Sequence, residues 1–306
     1  MNERLSVTVM IPCFNQSRFL PAAVASVRAQ SYDRVTCLVV NDGSTDETAA
    51  VAAAMNVRLL DQPNRGVSAA RNAGLSAADT DLIAFLDADD ELLPDAVARA
   101  VEALANDPDA DLVVGRCAVM DADGRALPAF HDAVDTAHLY EEWLARNFVW
   151  TPGAAMFRRS ALADLGGFPL QVGPAADYAV YLRFARAGRV RLIPHELVRY
   201  RRHDASMSRD PALMLRATLA VLRGEWRQAP AAMRERINAG WGRWCEWYGE
   251  QIVSRLQIDW HARRFGVNQV CALMTLLRYC PRVALRHARH KAGRMLRNDR
   301  HAENRC

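Results

Sequence analysis

Lysine is almost missing from this chain. Of 39 basic residues among 306, only Lys291 is a lysine, so residues 1–290 hold no amine for a phosphate-gripping P-loop, a kinase-type ATP site or a Schiff base. Glycine comes late, the first being Gly43. The first strand-to-helix turn therefore lacks the Gly-rich fingerprint through which a pyrophosphate reaches helix amides, which argues against nicotinamide or flavin bound in the usual way. Long apolar runs are missing too. Stretches such as residues 82–86 fall far short of the ~20 residues of a spanning helix, and the amino terminus shows no basic segment followed by a long apolar core. None of the seven cysteines (Cys13, Cys37, Cys117, Cys245, Cys271, Cys280, Cys306) forms a C-x-x-C pair. An odd, widely spaced set argues against a disulfide framework or a zinc site and points to a reducing, cytoplasmic setting.

What is present describes a globular chain, 51% hydrophobic and 24% charged, with room for one large domain and an appendage. The net charge of +4 hides an asymmetry: residues 278–306 carry nine Arg or Lys against Asp299 and Glu303, which leaves the rest at −3. A body without excess positive charge gives no electrostatic footprint for nucleic acid. The basic tail needs a separate explanation.

Along the first 120 residues, β-branched apolar runs alternate with helical patterns. Residues 7–12 (VTVMIP) and 35–40 (VTCLVV) read as strands buried on both faces of a parallel sheet. Between them Ser17 is the expected N-cap of a helix whose stripe is Leu20, Ala23, Val24 and Val27. Ser44 and Glu47 form a capping-box pattern ahead of a helix over 49–55, and a strand follows near 57–60. Residues 66–77 read as a third helix and 81–87 as a buried strand. Pro94 is expected in the first turn of the next helix, before a strand at 111–119. Such alternation predicts an open α/β sheet, whose ligands bind beyond the carboxyl ends of the strands. Those ends are residues 12–15, 41–44 and 87–90, so polar and acidic groups converge on one rim.

Asp87, Asp89 and Asp90 crowd where a buried strand emerges, and carboxylates this close repel unless a cation or protons neutralise them. The cluster suits Mg²⁺ or Mn²⁺, which take one or two carboxylates together with water and substrate phosphate oxygens. The same residues also read as a solvated acidic turn at a helix start.

Four ordered blocks narrow this choice: VTVMIPCFNQSRFLPAAVASVRAQSY (7–32), VVNDGSTDET (39–48), NRGVSAARNAG (64–74) and FLDADDELLPDAV (85–97). Together they resemble the family 2 glycosyltransferases, whose nucleotide-sugar-binding fold is called GT-A. Looser similarity extends through LGGFPLQVGPAADYAVYLRFARAG (165–188) and YRRHDASMS (200–208), about two thirds of the chain. The resemblance implies an α/β GT-A fold, a Rossmann-like mixed sheet flanked by helices, over residues 1–208. Residues 1–115 would form its nucleotide-sugar-binding half and 116–208 its acceptor half, with an α-helical extension over 209–306.

The resemblance further implies that Pro12, Phe14 and Asn15 belong to the nucleotide pocket, that Asp42 accepts a hydrogen bond from the base, and that Arg71 points toward the nucleotide. An arginine is the natural diphosphate partner where lysine is lacking. Asp87 and Asp89 match the family's D-x-D: the second aspartate contacts the metal, Mn²⁺ or Mg²⁺, the first the ribose or the metal shell, and Asp90 supports them. His203 matches a histidine that approaches this metal in several relatives; a surface histidine reads the same way. Asp177 falls at the catalytic base, normally the second member of a Glu-Asp pair, here Ala176-Asp177. A purely helix-capping role for Asp177 is the competing reading.

The expected activity is metal-dependent, inverting transfer of a sugar from a nucleoside diphosphate donor, a UDP-sugar being favoured, to a hydroxyl of a glycan or lipid-linked acceptor, as in cell-surface polysaccharide synthesis. Sugar-phosphate nucleotidyltransfer fits less well, since it needs a Gly-rich amino-terminal loop and a lysine on the phosphates. A nucleotide-sugar-binding scaffold without turnover is the non-enzymatic alternative, with Ala176 as its hint. In the last third, Trp241, Trp244 and Tyr248 share one helical stripe, read as packing or as a membrane-facing belt. Arg282, Arg286, Arg289, Arg294, Arg297 and Arg300 recur at spacings of three to five. This pattern suits either a solvated tail or peripheral attachment of 278–306 to an anionic membrane on its cytoplasmic face.

Overall fold

In a computed structural model the described residues are 4–131, 133–203 and 206–290. The chain divides into two compact units, Met1–Trp143 with Asn147–Ser206, and Leu144–Arg146 with Met207–Cys306.

The first unit is built on strands β1 (Val7–Cys13), β2 (Val35–Asp42), β3 (Arg58–Gln62), β4 (Leu82–Phe85), β5 (Glu91–Leu92), β6 (Leu112–Met120), β7 (Ala126–Leu127), β8 (Ala155–Arg158) and β9 (Val190–Arg201). They form one sheet in the order β3-β2-β1-β4-β8-β6-β9-β5, with β7 paired to β6. β1, β2, β3 and β4 run parallel, in register Val7↔Val35 and Val7↔Leu82. β8 is antiparallel to both β4 and β6, which makes the sheet mixed. Its helices are α1 (Leu20–Arg28), α2 (Thr48–Ala54), α3 (Val67–Ala77), α4 (Ala96–Ala105), α5 (Leu139–Ala145), α6 (Arg159–Asp164) and α7 (Ala176–Arg186).

Every residue of β1 is buried, as its near-continuous apolar sequence requires of a central strand covered on both faces. Its one hydroxyl, on Thr8, accepts a hydrogen bond from Thr80 Oγ1 at 2.8 Å, so burial does not leave it without a partner. α3 lies close against β1: a Cβ on Gly74 would come within 2.4 Å of the Met10 side chain. Pro12 is tolerated because β1 pairs with β4 only as far as Met10↔Phe85, beyond which it has β2 alone as a neighbour. The chain runs outward through β2 and β3 and returns to the other side of β1 as β4. The carboxyl ends of β1, β2 and β4 thus flank a topological switch point.

Three local expectations are corrected. Ser17 does not cap α1, which starts at Leu20 after Phe19 with Pro21 in its first turn; the Ser17 amide instead donates to Asp46 across the rim at 3.1 Å. The Ser44–Glu47 box does not form, because Ser44 Oγ accepts from the Asn15 amide at 3.0 Å and α2 begins at Thr48. Pro94 lies ahead of α4, whose N-cap is Asp95, because the Leu93 amide still bonds to the Leu197 carbonyl at 2.9 Å and keeps the chain extended to that point.

The second unit is helical, comprising α8 (Pro211–Gln228), α9 (Ala231–His261), α10 (Val267–Tyr279) and a further helix over 281–290. Trp244 stacks on Tyr248 at 5.6 Å, and Arg223 of α8 lies over the Trp241 ring, so the aromatic stripe packs inside this unit. Trp247 and Trp260 remain exposed. Of the basic tail, residues 291–306, including Arg294, Arg297 and Arg300, lie outside the described residues. Among the described residues no helix is long and apolar enough to cross a membrane.

Candidate functional site

The loops after β1 and β2 are laced together by side chains. Asn15 adopts a left-handed backbone (φ 55°), a conformation Asn tolerates better than most residues. Its Oδ1 accepts from the Thr45 amide at 2.8 Å, while Gln16 N–H donates to Thr48 Oγ1 at 3.0 Å. Pro12 is buried beneath this lacing and Phe14 is exposed above it.

At the end of β2, Asp42 is buried. Its Oδ1 accepts from Gln62 Nε2 (2.7 Å) and the Arg65 amide (2.9 Å), and its Oδ2 from the Gly66 amide (2.8 Å). Three donors from its own chain hold this carboxylate and shape the turn that leads into α3. One lone pair of Oδ2 is left for a ligand. Gly43 beside it has φ +71°, and a Cβ there would lie 2.6 Å from the Asn64 amide nitrogen.

The end of β4 is different in kind. Arg71, on α3, donates from Nη2 to Asp87 Oδ1 at 2.8 Å, with 6% of the arginine side chain exposed. Its guanidinium lies over the Phe168 ring, 5.4 Å from the centroid. Phe168 is fixed in turn by Asn72, whose amide side chain donates to the Phe168 carbonyl and accepts from its N–H, both at 2.8 Å. Arg71 Nε is buried without a partner. Burial works against the charge on Arg71, and Asp87 and then Asp177 more than restore it.

Asp177 stands in the first turn of α7 and interacts electrostatically with Arg71 and Asp87, which puts it near the exit of β4. Burial raises its pKa, against the pull of the Arg71 charge and the Tyr178 amide, and the Asp87 charge adds to the rise. The bond from the Tyr178 amide is 2.8 Å. One turn on, the Tyr181 hydroxyl is buried without a partner, and burial and then the Asp177 charge push its pKa well up. Ala176 is fully buried.

The rest of the acidic turn is held by β9. The short strand β5 pairs antiparallel with β9, Glu91 opposite Arg199, and this carries Arg201 and His203 back to the rim. His203 Nε2 meets Asp89 Oδ2 at 2.7 Å. Arg201 donates from Nε to the Asp89 carbonyl at 2.8 Å and from its amide to Asp90 Oδ1 at 2.8 Å. Thr151 Oγ1 completes Asp90 at 2.6 Å. Burial pushes Asp90 well above the usual carboxylate range, with the Asp89 and Asp87 charges adding to it. Burial and the Asp87 charge likewise raise Asp89, while His203 opposes the rise. Phe19 lies under both His203 (centroids 5.2 Å apart) and the Arg201 guanidinium (5.2 Å).

Among the described residues no three His, Cys, Asp or Glu side chains form a ready-made metal cage. The Asp89–His203 contact and the nearby Asp87 charge leave one or two carboxylates available to an ion, with burial and then the Asp87 charge raising the pKa of Asp89. That set fits a hard divalent ion that completes its shell with substrate phosphates and water, and does not fit a resident structural ion. Phe19, Asn72, Thr151, Phe168, Tyr181 and Arg201 complete the site without having been singled out by the motifs. All but Thr151 lie within the matched blocks, but only their contacts in the structure reveal a role.

The sequence profile of the family described as Glycosyl transferase family 2 matches residues 8–166. An uncharacterized protein of Mycobacterium tuberculosis is 30% identical over 218 residues, 65% of this chain and 68% of that protein. The succinoglycan biosynthesis protein ExoO of Rhizobium meliloti is 39% identical over 132 residues, 42% of this chain and 37% of its own length. An uncharacterized glycosyltransferase of M. tuberculosis is 39% identical over 111 residues, 36% of this chain and 48% of its own. The chain therefore spans about two thirds of one relative and less than half of the other two. Among solved structures, S. aureus TarS 1–349 in complex with UDP-GlcNAc superposes with a TM-score of 0.63 at 15% identity, covering 91% of this chain and 83% of that one. The mannosyltransferase PcManGT of Pyrobaculum calidifontis, in complex with GDP-Man and Mn²⁺, gives 0.60 at 20%, covering 92% and 82%. At these identities the likeness establishes the shared fold.

Proposed function

The chain belongs to glycosyl transferase family 2, and from that premise we propose that it moves a sugar from a nucleoside diphosphate donor to a hydroxyl of a glycan or lipid-linked acceptor, inverting the anomeric carbon. The observation that carries this reading is the convergence of Asp177 on the Arg71–Asp87 pair at the exit of β4. A carboxylate that burial has made more basic sits there beside a cation, next to the strand ends where this fold class takes its ligands.

In this reading Pro12, Phe14, Asn15 and Asp42 bound the nucleoside, with UDP the favoured nucleotide, and the remaining Oδ2 lone pair of Asp42 receives a base N–H. Arg71, already between two carboxylates, faces the diphosphate. Asp89 and His203, with Asp87, would hold Mn²⁺ or Mg²⁺, which when bound neutralises charge on the departing diphosphate. Asp177 accepts the proton of the acceptor hydroxyl as that oxygen bonds to the anomeric carbon. The bond from that carbon to the phosphate oxygen breaks, and its electron pair leaves with the nucleoside diphosphate. The nucleotide sugars bound by TarS and PcManGT support the donor class, and the free thiols of the six described cysteines fit a cytoplasmic setting.

Incubation with UDP-, GDP-, CMP- and dTDP-sugars, with and without Mn²⁺, tests the reading through nucleotide release and through the anomeric configuration of the product by NMR. A product that retains the donor's configuration rejects Asp177 as the base of a single displacement. Failure of every donor to release nucleotide rejects the enzyme.

A further inference from the structure

The helix α10 is apolar on two faces. Thr275 and Leu276 are buried on its inner side, as are Cys280 and Val283 just beyond it. Its outer side carries Val267, Val270, Met274 and Leu277 at spacings of three and four, with Val267 79% and Met274 65% exposed. At the corner leading into α10, Trp260 and Phe265 pack edge to face at 5.9 Å, and Trp260 is 67% exposed. A helix apolar on two faces is stabilised by burial of both. An exposed apolar stripe of this kind marks an interaction surface.

Charge decides what covers it. From Trp260 to Asn298 the sequence contains no Asp or Glu, while 260–290 contains six arginines, of which Arg264 pairs with Asp259 and Arg286 with Glu246 and Glu250. Arg263, Arg278 and Arg282 are exposed around the apolar stripe. An isologous contact between two copies of this chain would set this basic segment against itself, and like charges brought face to face oppose association. An anionic bilayer offers what the patch lacks, negative headgroups for the arginines and an acyl boundary for Trp, Phe, Leu and Met. We infer that α10 and the Trp260–Phe265 corner form a docking face that lies in the headgroup region of an anionic membrane. The apolar insertion comes from residues 260–277, upstream of the arginine-rich tail. The inference is independent of the catalytic reading, since vesicle binding needs no turnover.

Co-sedimentation of the full chain with phosphatidylcholine vesicles, with or without about one third phosphatidylglycerol, tests it. Binding is expected only with the anionic lipid, weakened by high salt and accompanied by a blue shift of tryptophan fluorescence. Changing Val270→Ser, Met274→Ser and Leu277→Ser together is expected to lower partitioning by ~10-fold or more, with circular dichroism unchanged because all three side chains are exposed. Arg278→Glu with Arg282→Glu removes the lipid selectivity. Undiminished binding of the triple-serine variant overturns the assignment to α10. So does equal binding to both vesicle types, or absence of binding accompanied by a concentration-dependent dimer that Leu277→Glu dissolves. Nucleotide release by the same variants stays at the parent level, so a failure of docking and a failure of the transferase reading are told apart.

Discussion

The two sides of the rim carry the same residue type under opposite conditions. On the β2 side, Asp42 is buried with three donors from its own chain, and Asn15, Ser44 and Thr48 tie the neighbouring loops. On the β4 side, Asp177 has a single bond from the next amide, shares one arginine with Asp87, and sits near a tyrosine hydroxyl and an arginine Nε that have no partner. The first arrangement is a finished hydrogen-bond network that fixes shape. The second holds charge in a poorly solvated place without settling it, which lowers stability and leaves reactive groups available. In the proposed reading the first side recognises the nucleoside and the second carries the chemistry.

Removing the proposed base breaks the contrast most severely. Asp177→Asn is expected to lower kcat by ~10²- to 10⁴-fold with nucleotide affinity unchanged by calorimetry. Because the folded pKa of Asp177 is raised, the fold favours its protonated form. The stability held in that form is present below the ordinary carboxylate value of about 4 and is lost as pH rises through the folded pKa. Asp177→Asn therefore melts at a higher temperature than the parent at neutral pH, though it turns over far less. The same raised pKa moves the acidic limb of the parent's pH–rate profile above about 4, with the rate falling as pH drops and the base takes up its proton. A less stable asparagine variant, or a limb at the ordinary value, reverses the assignment.

Arg71→Ala comes next. It leaves Asp87 and Asp177 without their common cation, an uncompensated pair whose cost in urea unfolding is expected to be about 3 kcal/mol at neutral pH. Asp42→Ala should be smaller, ~1 to 3 kcal/mol, because it orphans Gln62 and two amides without stranding a charge. If Asp42→Ala proves the costlier of the two, the β2 side is the strained one and the comparison inverts. The smallest stability change is expected from Asp89→Ala, within ~1 kcal/mol. Calorimetry with a nucleoside diphosphate should nonetheless show that Mn²⁺ no longer strengthens binding.

Much of this contrast was legible in the sequence. The buried runs that became β1 and β2, and the position of D-x-D-D at a strand exit, follow from period and composition. The family resemblance proposed Asp177 and His203, and the structure sets His203 against Asp89 and Asp177 within the field of Arg71 and Asp87; no local pattern separates either from ordinary surface residues. What the sequence did not show is how distant segments occupy each other's hydrogen bonds. Ser17 and Ser44 look like helix caps when read alone, yet cross-rim partners at Asp46 and Asn15 take them. Arg201, Thr151 and Tyr181 are invisible for the same reason, since their roles depend on β9, the turn before β8, and α7 arriving at the rim from afar in the chain.

The reciprocal bond pair between Asn72 and Phe168 spans 96 residues. A nascent chain that has emerged as far as α4 already displays the four ordered motif blocks, but lacks the ring on which Arg71 rests and the helix that bears Asp177. Closing so large a loop is entropically late, so the ring under Arg71 and the helix that bears Asp177 are expected to dock after the motif-rich first half. A fragment ending before residue 165 would retain the D-x-D motif yet lack both supports.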